Sequence, residues 1–378
     1  MRRPRAVPML TCAAVVGIGI GIGIASIHPA YISQNHTERD GRMDVSLPDP
    51  QEMIDKRRIF VSGHSLTARP MPDFLQEITA TSGLVISWDG QHADGSSIKD
   101  RSFGQDDLQP WSGFGVGQDA SGNPANVLSM LKAAAPDGKP YDVLLITEQH
   151  RVLDALLWQD TKQYLRVYRD RFISSNPQAE ILFFTPWISL SDKDDPTDWI
   201  SYERAAWPVW QCTVADVNRG IEWDDGSRPI RIIPASLALA ALMENLEQNP
   251  DQPGFEGLKG RQLTDALFSD TVHLTPLGSY FVAAVTANAL YGDLPSEDHP
   301  HNIPAEQAKT LKRFAANFIA DNRRSEPTFG EGCPRTVGWA FIAHYTGYIE
   351  KTYHREDMGY VRAKLQRLRD LLRFARTI

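Results

Sequence analysis

The chain has 378 residues, 42% of them hydrophobic and 23% charged, with a formal net charge of −8. That length holds one large α/β domain or two smaller ones. The acidic balance excludes a general nucleic-acid binder, which needs a basic surface to displace counterions from phosphates.

Arg2, Arg3 and Arg5 precede an uncharged run over 6–27. A basic start followed by an apolar segment reads as an export signal or an uncleaved anchor. The run lies near the lower length limit for a span, ~17–25 residues. Its Gly-Ile pairs weaken a helix, which favours a signal over an anchor. Residues 1–30 are therefore expected to carry the chain to a periplasmic or extracellular location, or to tether it to the membrane there. Residues 31–57 are polar and aperiodic and read as a linker. Three cysteines are too few for a disulfide scaffold. In an oxidising compartment Cys212 and Cys333 either pair or stand as two buried thiols, and the sequence leaves both open.

Five short apolar runs follow, at 59–61, 84–88, 143–147, 181–185 and 230–233, rich in β-branched and aromatic residues. Such runs fit strands buried on both faces, as in a parallel sheet. Helical patterns at 74–78, 127–134 and 164–172 separate several of them. Another helix is expected at Thr275-Pro276, with threonine as cap and proline in the first turn. This alternation predicts a doubly wound α/β sandwich over residues 58–295. Trp199, Trp207 and Trp210 fall in a long insertion between strands and are expected to cover a site.

Residues 296–378 read as a helical extension. Leu311, Phe314, Ala315, Phe318 and Ile319 form one apolar stripe, and Val361, Leu365, Leu368 and Leu372 form another. The second stripe lies in a basic stretch, with eight Lys or Arg against three acidic residues over 351–378. It is expected to pack on the domain with its cations solvated. The competing reading is a basic amphipathic surface that meets anionic lipid or an acidic glycan.

Two segments carry chemistry. Ser65 follows the first predicted strand in Gly63-His64-Ser65-Leu66, and ligands of open α/β sheets bind at the carboxyl ends of strands. A serine hydroxyl needs a general base, itself oriented by a third group. Asp270-Thr271-Val272-His273-Leu274-Thr275-Pro276 supplies both, since the carboxylate can hold the imidazole Nδ1–H and leave Nε2 free. No further His or Cys stands nearby at metal-ligand spacing. Glu148 and His150 at the third strand end, and Trp187 after the fourth, are candidates for substrate contact.

These blocks resemble the SGNH/GDSL serine hydrolases, over roughly residues 58–292. The resemblance implies a flavodoxin-like three-layer sandwich with a five-stranded parallel sheet. It implies ester hydrolysis through Ser65, Asp270 and His273, with neither metal nor other cofactor. The family's Asp before the nucleophile is His64 here, for which an orienting or packing role is expected. Its Gly-x-Asn-Asp block reads Thr147-Glu148-Gln149-His150. Gln149 then takes the place of the oxyanion-binding Asn, with the backbone N–H groups of Ser65 and Gly95 as further donors.

The implied substrate is an ester-containing small molecule, glycan or lipid. Acyl transfer to a glycan is a neighbouring alternative. From another class, the altered third block leaves room for a non-catalytic carbohydrate-binding descendant of the fold. Retention of Ser65, Asp270 and His273 argues against the latter.

Overall fold

The structure, a computed structural model, describes residues 56–103, 117–132, 140–221, 228–292, 294, 300, 302–325 and 337–377. The expected signal and all but the last two residues of the linker lie outside the described residues, as does Cys333. Cys212, buried on a helix, is disulfide-bonded. Among the described residues, no helix is long and apolar enough to cross a membrane.

β1 (Lys56–Gly63) ends in a 3-10 turn (Ser65–Thr67). α1 (Met71–Ala80) buries Met71, Phe74, Leu75 and Ile78 at helical spacing. β2 (Val85–His92), α2 (Ile98–Phe103), the two-residue strands β3 (Gly117–Gln118) and β4 (Pro124–Ala125), and α3 (Val127–Lys132) come next. β5 (Val143–Thr147), α4 (Val152–Trp158), α5 (Thr161–Ile173), β6 (Glu180–Phe184), α6 (Thr197–Arg219) and β7 (Arg231–Ile233) complete the strands. α7 (Ala235–Gln248), α8 (Arg261–Leu267), α9 (Pro276–Tyr291) and α10 (Ala305–Ser325) follow. α11 (Trp339–Ile349) runs through a π-helical turn (Glu350–His354) into α12 (Arg355–Met358), and α13 (Tyr360–Thr377) ends the chain.

The class is α/β. All five expected strands form and pair in parallel in the order β2-β1-β5-β6-β7. The expectation of a five-stranded, wholly parallel sheet is corrected, because β3 and β4 add an antiparallel edge and make the sheet mixed and seven-stranded. Two residues per strand leave no period to read, so the edge was invisible in the sequence. β5 is buried throughout, whereas β2 alternates buried and exposed positions beneath α1.

α9 starts as expected. Thr275 Oγ1 accepts the Gly278 N–H at 3.2 Å and Pro276 occupies the first turn. Its side chains are buried from Leu277 to Leu290, between α1 and α10. The tryptophan-rich insertion is not a cover over a site. It is α6, a helix of 23 residues with Pro208 inside it, and Trp199 and Trp210 are fully buried. An internal proline normally argues against a helix, but the burial of this apolar face overrides that preference.

The C-terminal helices pack on α6 through Tyr202, whose ring lies 4.7 Å from that of Tyr348. The second stripe departs from expectation. Val361, Leu365, Leu368 and Leu372 are 71%, 54%, 57% and 58% exposed, while Ala363, Asp370 and Phe374 face inward. The cause is Glu350 in the π-turn, whose buried carboxylate accepts hydrogen bonds from Arg355 Nε and Lys364 Nζ, each at 2.8 Å. Arg367 stands 3.5 Å from the same carboxylate. A buried carboxylate without cations is costly, so this demand turns the charged side of α13 inward and leaves the leucines outside. Phe374 packs edge-on against Tyr345 at 5.6 Å. Phe374→Ala should therefore cost ~3 kcal/mol of stability. Leu368→Gln should stay within ~0.5 kcal/mol of the parent, as surface changes do. Urea unfolding of the two variants checks both.

Candidate active site

Ser65 opens the 3-10 turn at the carboxyl end of β1 and is half-buried. Gly63 is required there by packing, since a Cβ would collide with Thr67 Oγ1. His64 is buried and acts as a clamp. Its Nδ1 accepts the Leu66 N–H at 3.4 Å, and its Nε2 lies 2.9 Å from the Glu148 carbonyl oxygen. That pattern assigns the proton to Nε2. Burial, then the charge of Arg101, lower its pKa to about 3, so the ring stays neutral. The expected orienting role thus matches the geometry.

Beneath the turn lies Arg101 of α2, fully buried, for which the sequence offers no signal. Its Nε donates to Ser62 Oγ at 3.0 Å, and its NH1 donates to Ser96 Oγ at 2.9 Å and Ser96 O at 3.0 Å. Its NH2 donates to the Thr147 carbonyl. One guanidinium therefore joins the ends of β1 and β5 to the loop after β2. Ser62 also donates to Gln91, which accepts from Tyr168 at 2.6 Å.

Glu148 was a candidate for substrate contact and is not placed for one. The residue is completely buried. Its Oε1 accepts the N–H groups of Ile98 at 3.1 Å and Gln149 at 2.7 Å, and its Oε2 accepts Thr161 Oγ1 at 2.9 Å. Burial raises its pKa to about 7 against the opposing pull of Arg101. Trp187 is corrected likewise. It is fully buried, and its Nε1 donates to the Val272 carbonyl at 2.8 Å. It holds a loop and does not line a site.

That loop carries Asp270 and His273. A Phe268–Leu274 antiparallel bridge closes it, with Ser269 N donating to His273 O at 2.9 Å. Asp270 Oδ1 accepts the N–H groups of Val272 and His273, both at 2.7 Å, and Asp270 Oδ2 lies 2.6 Å from His273 Nδ1. Burial pushes the Asp270 carboxyl up, but the hydrogen bonds from His273 and the two amides outweigh it and hold the pKa below the usual range. The bond to Nδ1 assigns the tautomer that leaves Nε2 as acceptor. Leu190 N donates to the Thr271 carbonyl at 2.7 Å, so this loop is fastened to the segment after β6.

The described residues therefore bring Asp270 and His273 together and put Ser65 at the same carboxyl edge of the sheet. No hydrogen bond joins Ser65 Oγ to His273 among them. His150 lies close to both His64 and His273. Burial first, then the charges of Arg151 and His273, lower its pKa to about 4, and it in turn depresses His64. Its ring stacks on Tyr353 of the π-turn at 6.2 Å, a partner 203 residues along the chain that no motif announced. The side-chain amide of Gln149 and the N–H groups of Ser65 and Gly95 find no acceptor among the described residues. Gly95 has φ +67° in an exposed turn. Ala93 N donates to Gly63 O at 3.1 Å and ties that loop to the Ser65 turn. No group of three or more His, Cys, Asp or Glu arranged for a metal occurs among the described residues.

No protein-family model matches the chain, and no curated protein does. A similar solved structure is described as a DUF4886 family protein from Bacteroides uniformis. It is 15% identical at a TM-score of 0.47, covering 70% of this chain and 95% of that one.

The electrostatics of Glu148 give a testable sign. Its pKa is raised from 4.5 to about 7 on folding. Its stabilising contribution is complete below pH 4.5 and is lost as the pH rises through 7. Between those limits the parent should lose up to ~3 kcal/mol relative to Glu148→Gln. The neutral buried histidines cancel in that difference. Unfolding free energies of both proteins across the range measure it, and parallel curves would contradict it.

Proposed function

We propose that this chain is an exported serine hydrolase of the SGNH/GDSL type that cleaves carboxylic esters through an acyl-enzyme. The observation that carries the reading is the 2.6 Å Asp270–His273 bond on a fastened loop at the strand edge that also holds Ser65. The parallel order β2-β1-β5-β6-β7 is that of the flavodoxin-like sandwich, which adds support.

His273 Nε2 takes the Ser65 proton as Oγ attacks the ester carbonyl, and Asp270 stabilises the resulting imidazolium. The oxyanion is met by the Ser65 N–H, the Gly95 N–H and the Gln149 amide. His273 then gives its proton to the leaving alcohol, and a water activated by the same nitrogen releases the acid. Catalytic hydrogen bonds often tighten only when substrate binds, so the Ser65–His273 bond is expected to form in the substrate complex. Asp270 and His273 are exposed, and an open site of this kind suits an ester carried on a glycan or a lipid.

A fluorophosphonate probe should label Ser65, and Ser65→Ala should abolish labelling. Ser65→Ala and His273→Ala should each lower short-chain aryl-ester turnover by ~10³ or more with the fold intact by circular dichroism. Undiminished turnover in Ser65→Ala would sink the assignment. Gln149→Ala should reduce kcat by ~10²–10³ while KM changes little, because the interaction strengthens in the transition state. An unchanged kcat would remove Gln149 from the oxyanion site.

A further inference from the structure

α13 carries two unlike faces. The inward one holds Ala363, Asp370 and Phe374, with Lys364 and Arg367 turned to Glu350. On the outward one, at 3.6 residues per turn, Val361, Leu365, Leu368 and Leu372 fall within one arc of ~60°. Arg376, Arg369 and Arg362 occupy the next ~40° of the same surface. All three arginines are exposed. The one acidic residue of the helix, Asp370, is buried and lies 3.3 Å from His354. The outward face is therefore a continuous apolar strip edged by cations alone, on a chain whose net charge is −8. Trp339, at the start of the helix on which α13 packs, is also exposed.

We infer that α13 is an interfacial helix, which lays its leucine strip into the headgroup boundary of an anionic bilayer with its arginines on lipid phosphates. Single exposed leucines mean little, but four in register with one-sided cations have the form of a surface-bound membrane helix. Charge selects this occupant. A second copy laid on the strip would bring two arginine rows together, and the one carboxylate of α13, Asp370, is buried away from them. A glycan would meet four side chains that offer no hydrogen bond. The inference does not depend on the esterase reading.

The test is hydrogen–deuterium exchange of α13 peptides in the full chain, which reads this helix whatever residues 1–30 do. Exchange is followed with phosphatidylcholine vesicles, with equimolar phosphatidylcholine–phosphatidylglycerol vesicles, and without lipid at two protein concentrations. Exchange of α13 should slow on the order of tenfold with the anionic vesicles alone. L365Q/L368Q/L372Q should lose that protection, and R362Q/R369Q/R376Q should weaken it at low salt and leave less of it for added salt to remove. Protection equal on both vesicle types would overturn the proposal, as would unchanged α13 exchange in a chain that sediments with anionic vesicles. Protection that grows with protein concentration in the absence of lipid would assign the strip to a second copy instead. Protection identical in every condition would show the strip covered by the chain itself.

Discussion

A guanidinium without water must have its donors satisfied, and Arg101 is buried where three chain segments meet. Its partners are a hydroxyl on β1, a hydroxyl and a carbonyl after β2, and the last carbonyl of β5. Losing any one of them would leave a donor stranded on a desolvated charge, at a cost of several kcal/mol. The segments are thus held in one relative position. Ser65 lies three residues beyond Ser62, and Gln149 two beyond Thr147, so the order imposed by Arg101 passes straight to the edge where chemistry is proposed. Glu148 supplies the nearby opposite charge and spends both oxygens on the same turns.

The other half of the site has a separate support. The loop with Asp270 and His273 hangs from Trp187 and Leu190. That segment is fixed by Glu203, which accepts the Ile188 N–H at 2.7 Å, and by the hydroxyls of Tyr348 and Tyr353 on Ser189. The C-terminal helices therefore do more than extend the chain. Their π-turn reaches the carboxyl edge of the sheet, where Tyr353 stacks on His150, while Glu350 in the same turn decides which way α13 faces. π-turns often mark places where function has displaced regular geometry. This one joins a buttress of the site to the surface that shows the leucine strip.

Several features were open to sequence reasoning because they are local. The five strands announce themselves as short runs of β-branched and aromatic residues, and the sheet buries them as such runs require. The α9 start follows from Thr275 and Pro276 alone. The Asp270–His273 pairing follows from a three-residue spacing on one short loop. Glu148 and Trp187 stand as candidates for substrate contact because strand-end position says nothing about which way a side chain turns. Both turn inward, where desolvated backbone amides and carbonyls need partners.

By itself the sequence determined the α/β class, the parallel core and the Asp270–His273 pairing, since each rests on periodicity or on neighbours a few positions apart. The tertiary structure decided the rest. It added the β3–β4 edge, too short to show a period, and made a core helix of a segment with an internal proline. It also set Tyr353 against His150. Above all, it reversed α13. The pattern of that helix favours leucines inward, but a buried carboxylate on a different helix requires cations, and only the folded chain brings the two together.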